Sequence, residues 1–500
     1  MMKKMLSLTL VVLMLLGTLA SFSACSNTEN NPTNDTTVSS VGNSTDTTVP
    51  ETESPYDTNG YLKDSLPADL NFGGETVTML YWEDVEKQEF FAEEQTGEIV
   101  NDAILARNNA VEDRLGVTLN YVGTKGNGDN MDNYLTVARN SYQAGSQEFD
   151  LYGTYSRTGA KLAYNSLCYN LANVNYLDLD KPWWPENLTR EALFDGRLYF
   201  VSGDISTMLL HMMYAVYFNK DLFTNYNLTS PYDLVEKGEW TFDKMIEYGT
   251  NVYQDLDNNA AQNNADFYGL VYSNYHAEAF YAAAGLNFIE QDEEKILKIS
   301  DDFYGEKTLN VISKLGPWLA SDDVWIASGA PALFANGQAL MALNRAYFAE
   351  NYLRNVNFSY GIVPVPKYDT NQENYYTCMG NPVTLYSITA DCKDPDRAAA
   401  VLECLGSEGY RRTTPALFEV NMKVKYSEGS TEAEMFDLLK STTSFDLGRM
   451  FSPDLQMITD IFWAAVNAND TAWSSKTKAY QRVLDKKMET IVNGLTATDR

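Results

Sequence analysis

Apolar and polar positions along residues 75–155 switch between two periods, which predicts strands and helices in alternation. The predicted strands are 77–81, 117–122 and 149–152, and the predicted helices are 99–115 and 132–144. Gly116 and Gly145 each follow a helical pattern directly, as a C-terminal glycine does. Strand and helix alternating at this spacing predict a parallel, doubly wound sheet, so the fold class is α/β.

The remainder of the chain carries both patterns, with no internal repeat. Further strands are predicted at 198–203, 338–343, 360–366 and 381–388, and further helices at 245–252 and 395–405. Residues 212–218 form an apolar run. The last hundred residues read mostly as helix. A chain of 500 residues is long enough for two or three domains.

The N-terminus has the layout of an export signal. Lys3 and Lys4 precede an apolar run from Leu6 to Ala20, which is shorter than the ~20 residues that span a bilayer and suits a signal peptide. The small residues before Cys25 resemble a bacterial lipobox, which implies a lipoprotein signal peptide at 1–24 and a lipid anchor on Cys25. An ordinary secretory signal with an incidental cysteine is the alternative.

Residues 25–60 are rich in Ser, Thr, Asn, Asp, Glu and Pro and have few large apolar side chains. Such a segment cannot bury enough surface to offset the entropy of ordering, so it is predicted to be a disordered polar tether. No later apolar stretch reaches spanning length. The folded part is therefore expected outside the cell, tethered to the outer face of the bacterial membrane.

Charge and composition narrow the range of partners. The net charge is −31, which repels phosphate backbones and disfavours nucleic acid and anionic lipid surfaces. His211 and His276 are the only histidines, which disfavours His-rich metal sites and Ser-His-Asp catalysis.

Four cysteines follow Cys25 and are predicted to be buried free thiols, with one or two disulfides as the alternative. They are Cys168, Cys378, Cys392 and Cys404.

Six segments, in this order, resemble the extracellular solute-binding proteins of ABC importers, in the sugar-binding family 1 that includes maltose-binding protein. The segments are VYFNKDLF (216–223), EWTFDKMIEYG (239–249), DFYGL (266–270), LFANGQALMAL (333–343), YGIVPVPKYD (360–369) and SITADCKDPDRAAAVLECL (387–405). The resemblance covers about residues 75–500. It implies two α/β lobes, a ligand cleft between them, and a monomer without catalytic activity or cofactor.

In this sequence the resemblance places the N-terminal lobe at 61–207 plus 343–392 and the C-terminal lobe at 208–342 plus 393–500. The chain is expected to cross between the lobes near 204–210, to return near 340–346, and to cross again near 389–394.

Sugar recognition needs aromatic faces for stacking and polar groups for hydrogen bonds. The loops after the first and third predicted strands supply both, and the resemblance adds an acidic residue near the first crossing and a close backbone approach before a later strand. The candidate ligand residues are Trp82, Glu83, Asp84, Tyr155, Arg157, Asp204, Gly380 and Asn381. Ordinary packing for Trp82, a surface pair for Tyr155 and Arg157, and a helix cap for Asp204 are the alternatives. Trp183 and Trp184 are interpreted as a packed loop corner.

One loop echoes the spacing of calcium ligands in an EF-hand. Asp255, Asp257, Asn259 and Asp266 occupy positions 1, 3, 5 and 12. Ala260 stands where glycine is usual, and aspartate is too short for the bidentate glutamate of position 12. A plain polar loop is therefore favoured over a calcium site.

The leading hypothesis for function is a lipid-anchored binding protein that captures a neutral oligosaccharide and delivers it to the membrane subunits of an ABC permease. A surface glycoside hydrolase or lyase is one alternative, because the distance between two carboxylates cannot be read from sequence. A surface adhesin or receptor module of the same fold is another.

Overall fold

The computed structural model describes residues 54–423 and 430–497. Cys25 and most of the predicted tether therefore lie outside the described residues. The strands are β1 Glu75–Trp82, β2 Val117–Thr124, β3 Leu151–Tyr155, β4 Tyr214–Asn219, β5 Tyr268–Tyr272, β6 Ile289–Gln291, β7 Leu297–Ile299, β8 Val324–Ile326, β9 Ala339–Arg345, β10 Tyr360–Pro364, β11 Thr377–Cys378, β12 Thr384–Ile388 and β13 Thr443–Ser444.

The helices fall between and after these strands. They are α1 Ile99–Leu115, α2 Met131–Ala144, α3 Ser156–Tyr164, α4 Glu186–Ala192, α5 Thr207–His211, α6 Lys220–Asn225, α7 Pro231–Glu236, α8 Phe242–Gly249, α9 Glu278–Ala283, α10 Asp301–Tyr304, α11 Glu306–Leu319, α12 Pro331–Ala335, α13 Tyr347–Tyr352, α14 Pro395–Glu408, α15 Thr414–Lys423, α16 Ser430–Ser441, α17 Leu447–Met450, α18 Ile458–Asn467 and α19 Trp473–Thr496.

The first sheet has the order β12-β3-β1-β2. β1 is parallel to both β2 and β3, as the alternating pattern predicts, and β12 adds an antiparallel edge strand. Helix α1 has the predicted bounds because its ends are well specified. Glu98 accepts a hydrogen bond from the Asn101 amide at one end, and Gly116 takes the left-handed conformation at the other.

The second sheet has the order β10-β4-β9-β5-β8. β5 is parallel to β8 and β9, whereas β4 is antiparallel to β9 and β10. Trp240 fixes α8 against this sheet, since its buried indole N–H donates to the Pro364 carbonyl at 2.8 Å. The two sheets belong to one compact unit that begins at Pro55, and each forms the centre of one lobe.

The path between the sheets departs from the predicted lobe boundaries. The first crossing does leave near Val201, which bridges to Tyr386 of β12, and enters the second sheet at β4. β10, however, pairs with β4, so 343–392 is not wholly in the first lobe. Thr389 hydrogen-bonds to Asp150 within the first lobe, so no crossing occurs at 389–394. A local apolar pattern predicts a strand without specifying the sheet it joins.

The backbone corrects the strand predicted at 198–203 and confirms the mostly helical C-terminal region. Residues 198–203 form no strand of the described sheets, and Val201 makes an isolated bridge there. Residues from Pro395 onward are mostly helical as predicted, but α14 packs on α1 of the first lobe, although 393–500 was predicted in the second.

The four described cysteines are free thiols, and all but half-buried Cys392 are buried. Within 54–423 and 430–497 no helix combines the length and apolar character needed to cross a bilayer.

Candidate functional site: the junction between the lobes

Aromatic and charged side chains from both lobes meet where the C-terminal ends of β3 and β9 face each other. The group is called the interlobe cluster below. Its members are Tyr155, Arg157, Tyr214, Tyr275, His276, Glu278, Arg345, Tyr347 and Arg449.

The first lobe contributes the end of β3 and the first turn of α3. Tyr155 is 6% exposed, and the Arg157 charge partly offsets the upward shift that burial causes in the pKa of Tyr155. The Arg157 Nε donates to the Arg449 carbonyl at 3.3 Å, and Arg157 forms no ion pair within the described chain. The Ser156 hydroxyl donates to the Asn381 carbonyl at 2.6 Å. The β3 end is therefore tied to the segment that leads back into the first sheet.

A buried ion pair lies at the centre of the cluster. The Arg449 Nε donates to Glu278 Oε2 at 2.9 Å, and both side chains are nearly inaccessible. A second nitrogen of Arg449 donates to the Met379 carbonyl. Since Glu278 begins α9 of the second lobe and Arg449 lies on α17, which packs on α3 of the first, the pair links the two lobes. Neither charge is left without a counter-charge.

Arg345, the last residue of β9, reaches from the second lobe toward the first. Its Nη1 lies 3.4 Å from Glu86 Oε1 in the loop after β1, and its Nη2 donates to the Tyr347 hydroxyl at 2.9 Å. A Cβ at Gly380 would lie 2.7 Å from the Arg345 Cδ, so glycine is required there for this side chain to pass. The Gly380 amide also donates to Met212 at 2.7 Å. Gly380 thus makes room for a side chain of the protein.

His276 stands beside Arg345 in the second lobe, between two tyrosine rings. Its Nδ1 is 2.9 Å from the Leu343 carbonyl, and its buried Nε2 has no partner among the described residues. Burial, with the Arg345 charge, lowers the pKa of His276 to about 3, so the ring is neutral and Nε2 is an acceptor. The rings of Tyr214 and Tyr275 lie 5.3 and 4.6 Å from the imidazole, and Tyr275 is 48% exposed.

Trp82 packs against Tyr155 of the cluster from within the first lobe. The indole is 1% exposed, its Nε1 donates to Thr384 Oγ1 at 3.0 Å, and its ring centre lies 5.7 Å from that of Tyr155. A ring with no open face cannot stack on a sugar. The alternative of ordinary packing therefore describes Trp82 in this conformation.

The two carboxylates after Trp82 point elsewhere. Glu83 is exposed, and a Cβ on Gly123 of edge strand β2 would lie 2.8 Å from its Oε2. Asp84 Oδ1 accepts hydrogen bonds from the backbone amides of Gly126 and Asn127 at 2.8 and 3.0 Å, and its Oδ2 accepts one from Asn130. Asp84 thus holds the loop between β2 and α2.

Asp204 lies outside the cluster. Its Oδ1 is 2.8 Å from the Lys440 Nζ and accepts a hydrogen bond from Thr414 at 2.9 Å. Burial raises the pKa of Asp204, opposed by Lys440. The acidic residue at the lobe crossing therefore stabilises the packing of α15 and α16.

In the loop that echoes the spacing of calcium ligands, the carboxylates accept hydrogen bonds from the loop itself. Carboxylate oxygens of Asp255, Asp257 and Asp266 lie within 4.8 Å of one another. Asp255 and Asp257 accept hydrogen bonds from Asn259 and its neighbours, and buried Asp266 accepts from Tyr253, Leu256 and Asn263. The donor set is one that calcium accepts, but internal donors satisfy the carboxylates, and calcium binding stays an untested prediction.

The structure places Tyr155, Arg157, Gly380 and Asn381 near one another and leaves Glu83, Asp84 and Asp204 outside the cluster. Ligand binding by the four residues stays a prediction. Seven members of the cluster were not predicted as site residues: Tyr214, Tyr275, His276, Glu278, Arg345, Tyr347 and Arg449. Following the predicted strand 338–343 to its polar end would have suggested Arg345. No local signal distinguishes Arg449 from other helical arginines.

Two α/β lobes with an aromatic and hydrogen-bonding junction define a two-lobed binding protein. The chain belongs to the family of bacterial extracellular solute-binding proteins, because the model of that family matches residues 116–412. This confirms the resemblance that the sequence suggested. None of the curated proteins matches the chain in sequence.

Solved structures share the fold at low identity. A cyclic alpha-maltosyl-1,6-maltose binding protein from Arthrobacter globiformis is 15% identical with a TM-score of 0.57, covering 83% of this chain and 100% of its own. A family 1 extracellular solute-binding protein from Bifidobacterium longum subsp. infantis is 13% identical with a TM-score of 0.53, covering 84% and 100%. An ABC substrate-binding protein from Listeria monocytogenes, in complex with cycloalternan, is 14% identical with a TM-score of 0.51, covering 83% and 99%.

Proposed function

We propose that this chain captures a neutral oligosaccharide at the interlobe cluster and delivers it to the permease of an ABC importer. The observation that carries the proposal is the composition of the cluster. Partly exposed tyrosine rings lie beside hydrogen-bonding groups contributed by both lobes, which is the chemistry that a sugar's apolar faces and hydroxyl edges require.

The charges at the junction support a neutral ligand. Arg449 is matched by Glu278, and Arg345 is matched by Glu86. Among the three arginines of the cluster, Arg157 is the one that forms no ion pair within the described chain, and its guanidinium can donate to sugar hydroxyls. The mutual pairing leaves the junction close to neutral despite the net charge of −31 on the chain.

The same pairing supports binding without chemistry. Glycoside hydrolysis needs one carboxylic acid to donate a proton and a second carboxylate to act as base or nucleophile. Glu278 and Glu86 are each paired with an arginine of the cluster, Arg449 and Arg345, so neither carboxylate is free to act on a substrate. The cluster therefore suits a receptor that releases its ligand unchanged.

The two-lobed fold supports the proposed delivery. A ligand that contacts both lobes favours the closed arrangement by its differential affinity, and a permease can distinguish the two arrangements. The proposed lipid anchor at Cys25 would hold the receptor beside the permease. The resemblance of the chain to importer-linked receptors and the family match support this part of the proposal.

The test is thermal unfolding of residues 26–500 with a panel of neutral oligosaccharides. A ligand at 100 times its Kd adds ~2.7 kcal/mol to the free energy of unfolding. We expect one sugar class to raise the melting temperature and to be recovered without new reducing ends. Tyr275→Ala and Tyr347→Ala should abolish the shift, whereas Tyr226→Ala, which removes an exposed ring of the second lobe, should retain it.

No shift with any sugar would contradict saccharide binding, and new reducing ends would show a hydrolase. Loss of uptake of the bound sugar in cells that lack the chain, restored by the wild type but not by Cys25→Ser, would support delivery and anchoring. Normal uptake without the chain would contradict delivery.

A further inference from the structure

Arg345 ends β9 and contacts the ring of Tyr347, which begins α13 two residues later. The Arg345 Nη2 donates to the Tyr347 hydroxyl at 2.9 Å, and the Arg345 Cζ lies 4.5 Å from the centre of the Tyr347 ring. A guanidinium near a tyrosine ring attracts it by a cation–π interaction, and the hydrogen bond adds a directional contact. One charged group therefore restrains both the ring and its hydroxyl.

The guanidinium of Arg345 is itself held by the protein. Its side chain is 8% exposed, and its Nε is inaccessible to solvent. Its Nη1 lies 3.4 Å from Glu86 Oε1 and 3.2 Å from the sulfur of Met212. Gly380 leaves room for the Cδ of the same side chain. Because its nitrogens are directed at protein groups, Arg345 can act on a ligand through the tyrosine that it holds.

The Tyr347 hydroxyl keeps its proton for a further hydrogen bond. It accepts from Arg345 and donates to no group within residues 54–423 and 430–497. The side chain is half-buried, so part of it is reachable from solvent. Burial raises the pKa of Tyr347, and Arg345 partly opposes that shift, so the hydroxyl is protonated at neutral pH. A hydroxyl that accepts from a cation is polarised and becomes a stronger donor.

We propose that Arg345 is a positioning residue for ligand recognition. It holds the Tyr347 phenol so that the O–H donates to an acceptor oxygen of the bound saccharide. The same half-buried ring supplies apolar surface to the C–H groups of the sugar. This inference rests on the proposed function, since the acceptor is a hydroxyl or ring oxygen of that sugar.

Glu86 adds a contribution from the first lobe. It lies in the loop after β1, which Arg107 of α1 anchors by donating to two of its backbone carbonyls. Glu86 is 37% exposed, so solvent screens its ion pair with Arg345. The first lobe therefore places a second and weaker restraint on the guanidinium that orients Tyr347.

The test is a double-mutant cycle measured by isothermal titration calorimetry with the sugar identified in the thermal panel. Arg345→Met removes the guanidinium, Tyr347→Phe removes the hydroxyl, and each should weaken binding about tenfold. The double variant should bind no more weakly than Arg345→Met alone, because the arginine acts through that hydroxyl. Tyr352→Phe removes a hydroxyl from an exposed side chain of the same helix and should leave the affinity unchanged.

Glu86→Gln keeps the test valid if Arg345→Met does not fold, because Glu86 is exposed. It should weaken binding about threefold in the wild type and add nothing in the Tyr347→Phe background. Glu93→Gln removes an exposed carboxylate from the same loop and should have no effect.

The outcomes separate this inference from the proposed function. If the wild type binds no sugar, the proposed function fails and the role of Arg345 fails with it. If the wild type binds, unchanged affinity in Tyr347→Phe would overturn the role of Arg345 alone. Additive losses in the double variant would also overturn it, because they would mean that the two side chains act on the sugar independently.

Discussion

The ends of β1 and β3 lie side by side in the first sheet, where Tyr81 pairs with Gly153, yet the two ends do different work. At the β1 end, the Trp82 ring is buried and the Asp84 carboxylate accepts backbone hydrogen bonds, so both side chains stabilise the fold. The β3 end presents Tyr155 and Arg157 to the second lobe. Both ends have an aromatic residue followed by charged or polar ones, so similar composition serves packing at the β1 end and lies at the proposed ligand site at the β3 end.

The difference arises from what each end faces. Trp82 lies under Tyr155 and donates to Thr384 of β12, so its indole is enclosed on all sides. Arg157 lies in the first turn of α3 at the junction, where its Nε donates to the Arg449 carbonyl and the guanidinium forms no ion pair within the described chain. Whether a side chain is available to a ligand therefore depends on the partner element and not on the residue type.

The largest expected effect is at the β1 end. Trp82→Ala should lower the free energy of unfolding by about 3–5 kcal/mol, because it opens a cavity under Tyr155 and leaves Thr384 without its indole donor. Urea unfolding of the purified wild type and variant measures this loss in the free energy of unfolding. Trp463→Ala, at a half-buried ring outside this sheet, is the comparison. An equal or smaller loss at Trp82 would contradict its structural role.

The next effect is on the ion pair that the β3 end contacts. Glu278→Gln should cost about 3 kcal/mol, because it leaves the buried Arg449 without a counter-charge. Asp132→Asn, which breaks an exposed pair with Lys161, should cost less than ~1 kcal/mol. Denaturant unfolding of both variants measures the two losses in the free energy of unfolding. Similar losses would mean that the buried pair stabilises the junction no more than an exposed pair does.

A moderate effect is expected at the Asp84 carboxylate. Asp84→Ala removes acceptors for Gly126, Asn127 and Asn130 and should cost about 1–2 kcal/mol. Sugar affinity should change little, because the carboxylate faces the loop and not the junction. Asp129→Ala in the same loop is the control. If the Asp84→Ala variant loses sugar binding but keeps wild-type stability, Asp84 contacts the ligand and the prediction is wrong.

Arg157 should show the reverse behaviour. Arg157→Gln should change stability by no more than ~0.5 kcal/mol, because the guanidinium makes one weak hydrogen bond and no ion pair within the described chain. Sugar affinity should fall at least tenfold, measured by calorimetry with the sugar identified in the thermal panel. Arg190→Gln, at an exposed pair, should alter neither. A stable variant with unchanged affinity would remove Arg157 from the site.

The smallest effect concerns the Asp255 loop. Millimolar calcium should leave the melting temperature unchanged, because backbone and asparagine donors already satisfy the carboxylates. Magnesium at the same concentration controls for ionic strength. A shift with calcium alone, lost in Asp257→Asn, would establish a calcium site there.

Local patterning determined the secondary structure of the first lobe well. Period and capping residues specified α1 to its terminal residues, and the four strands of the first sheet were predicted within a few positions, because the signals lie in adjacent residues. The strand predicted at 198–203 did not form. The apolar run at 360–366 was also recognised as a strand. Its assignment to the first lobe was wrong, since sheet membership depends on pairing with β4 across more than a hundred residues.

The sequence by itself determined the class of fold and the family, and it singled out Tyr155 and Arg157 after β3 and Gly380 and Asn381 before β12. Only the tertiary structure decided that Trp82 and Asp84 are structural, that Asp204 is paired with Lys440, and that Glu278, Arg345 and Arg449 meet at the junction. The physical reason is distance along the chain. A strand or a cap is specified by neighbouring residues, whereas a cleft is built from side chains whose proximity exists only after both lobes have folded.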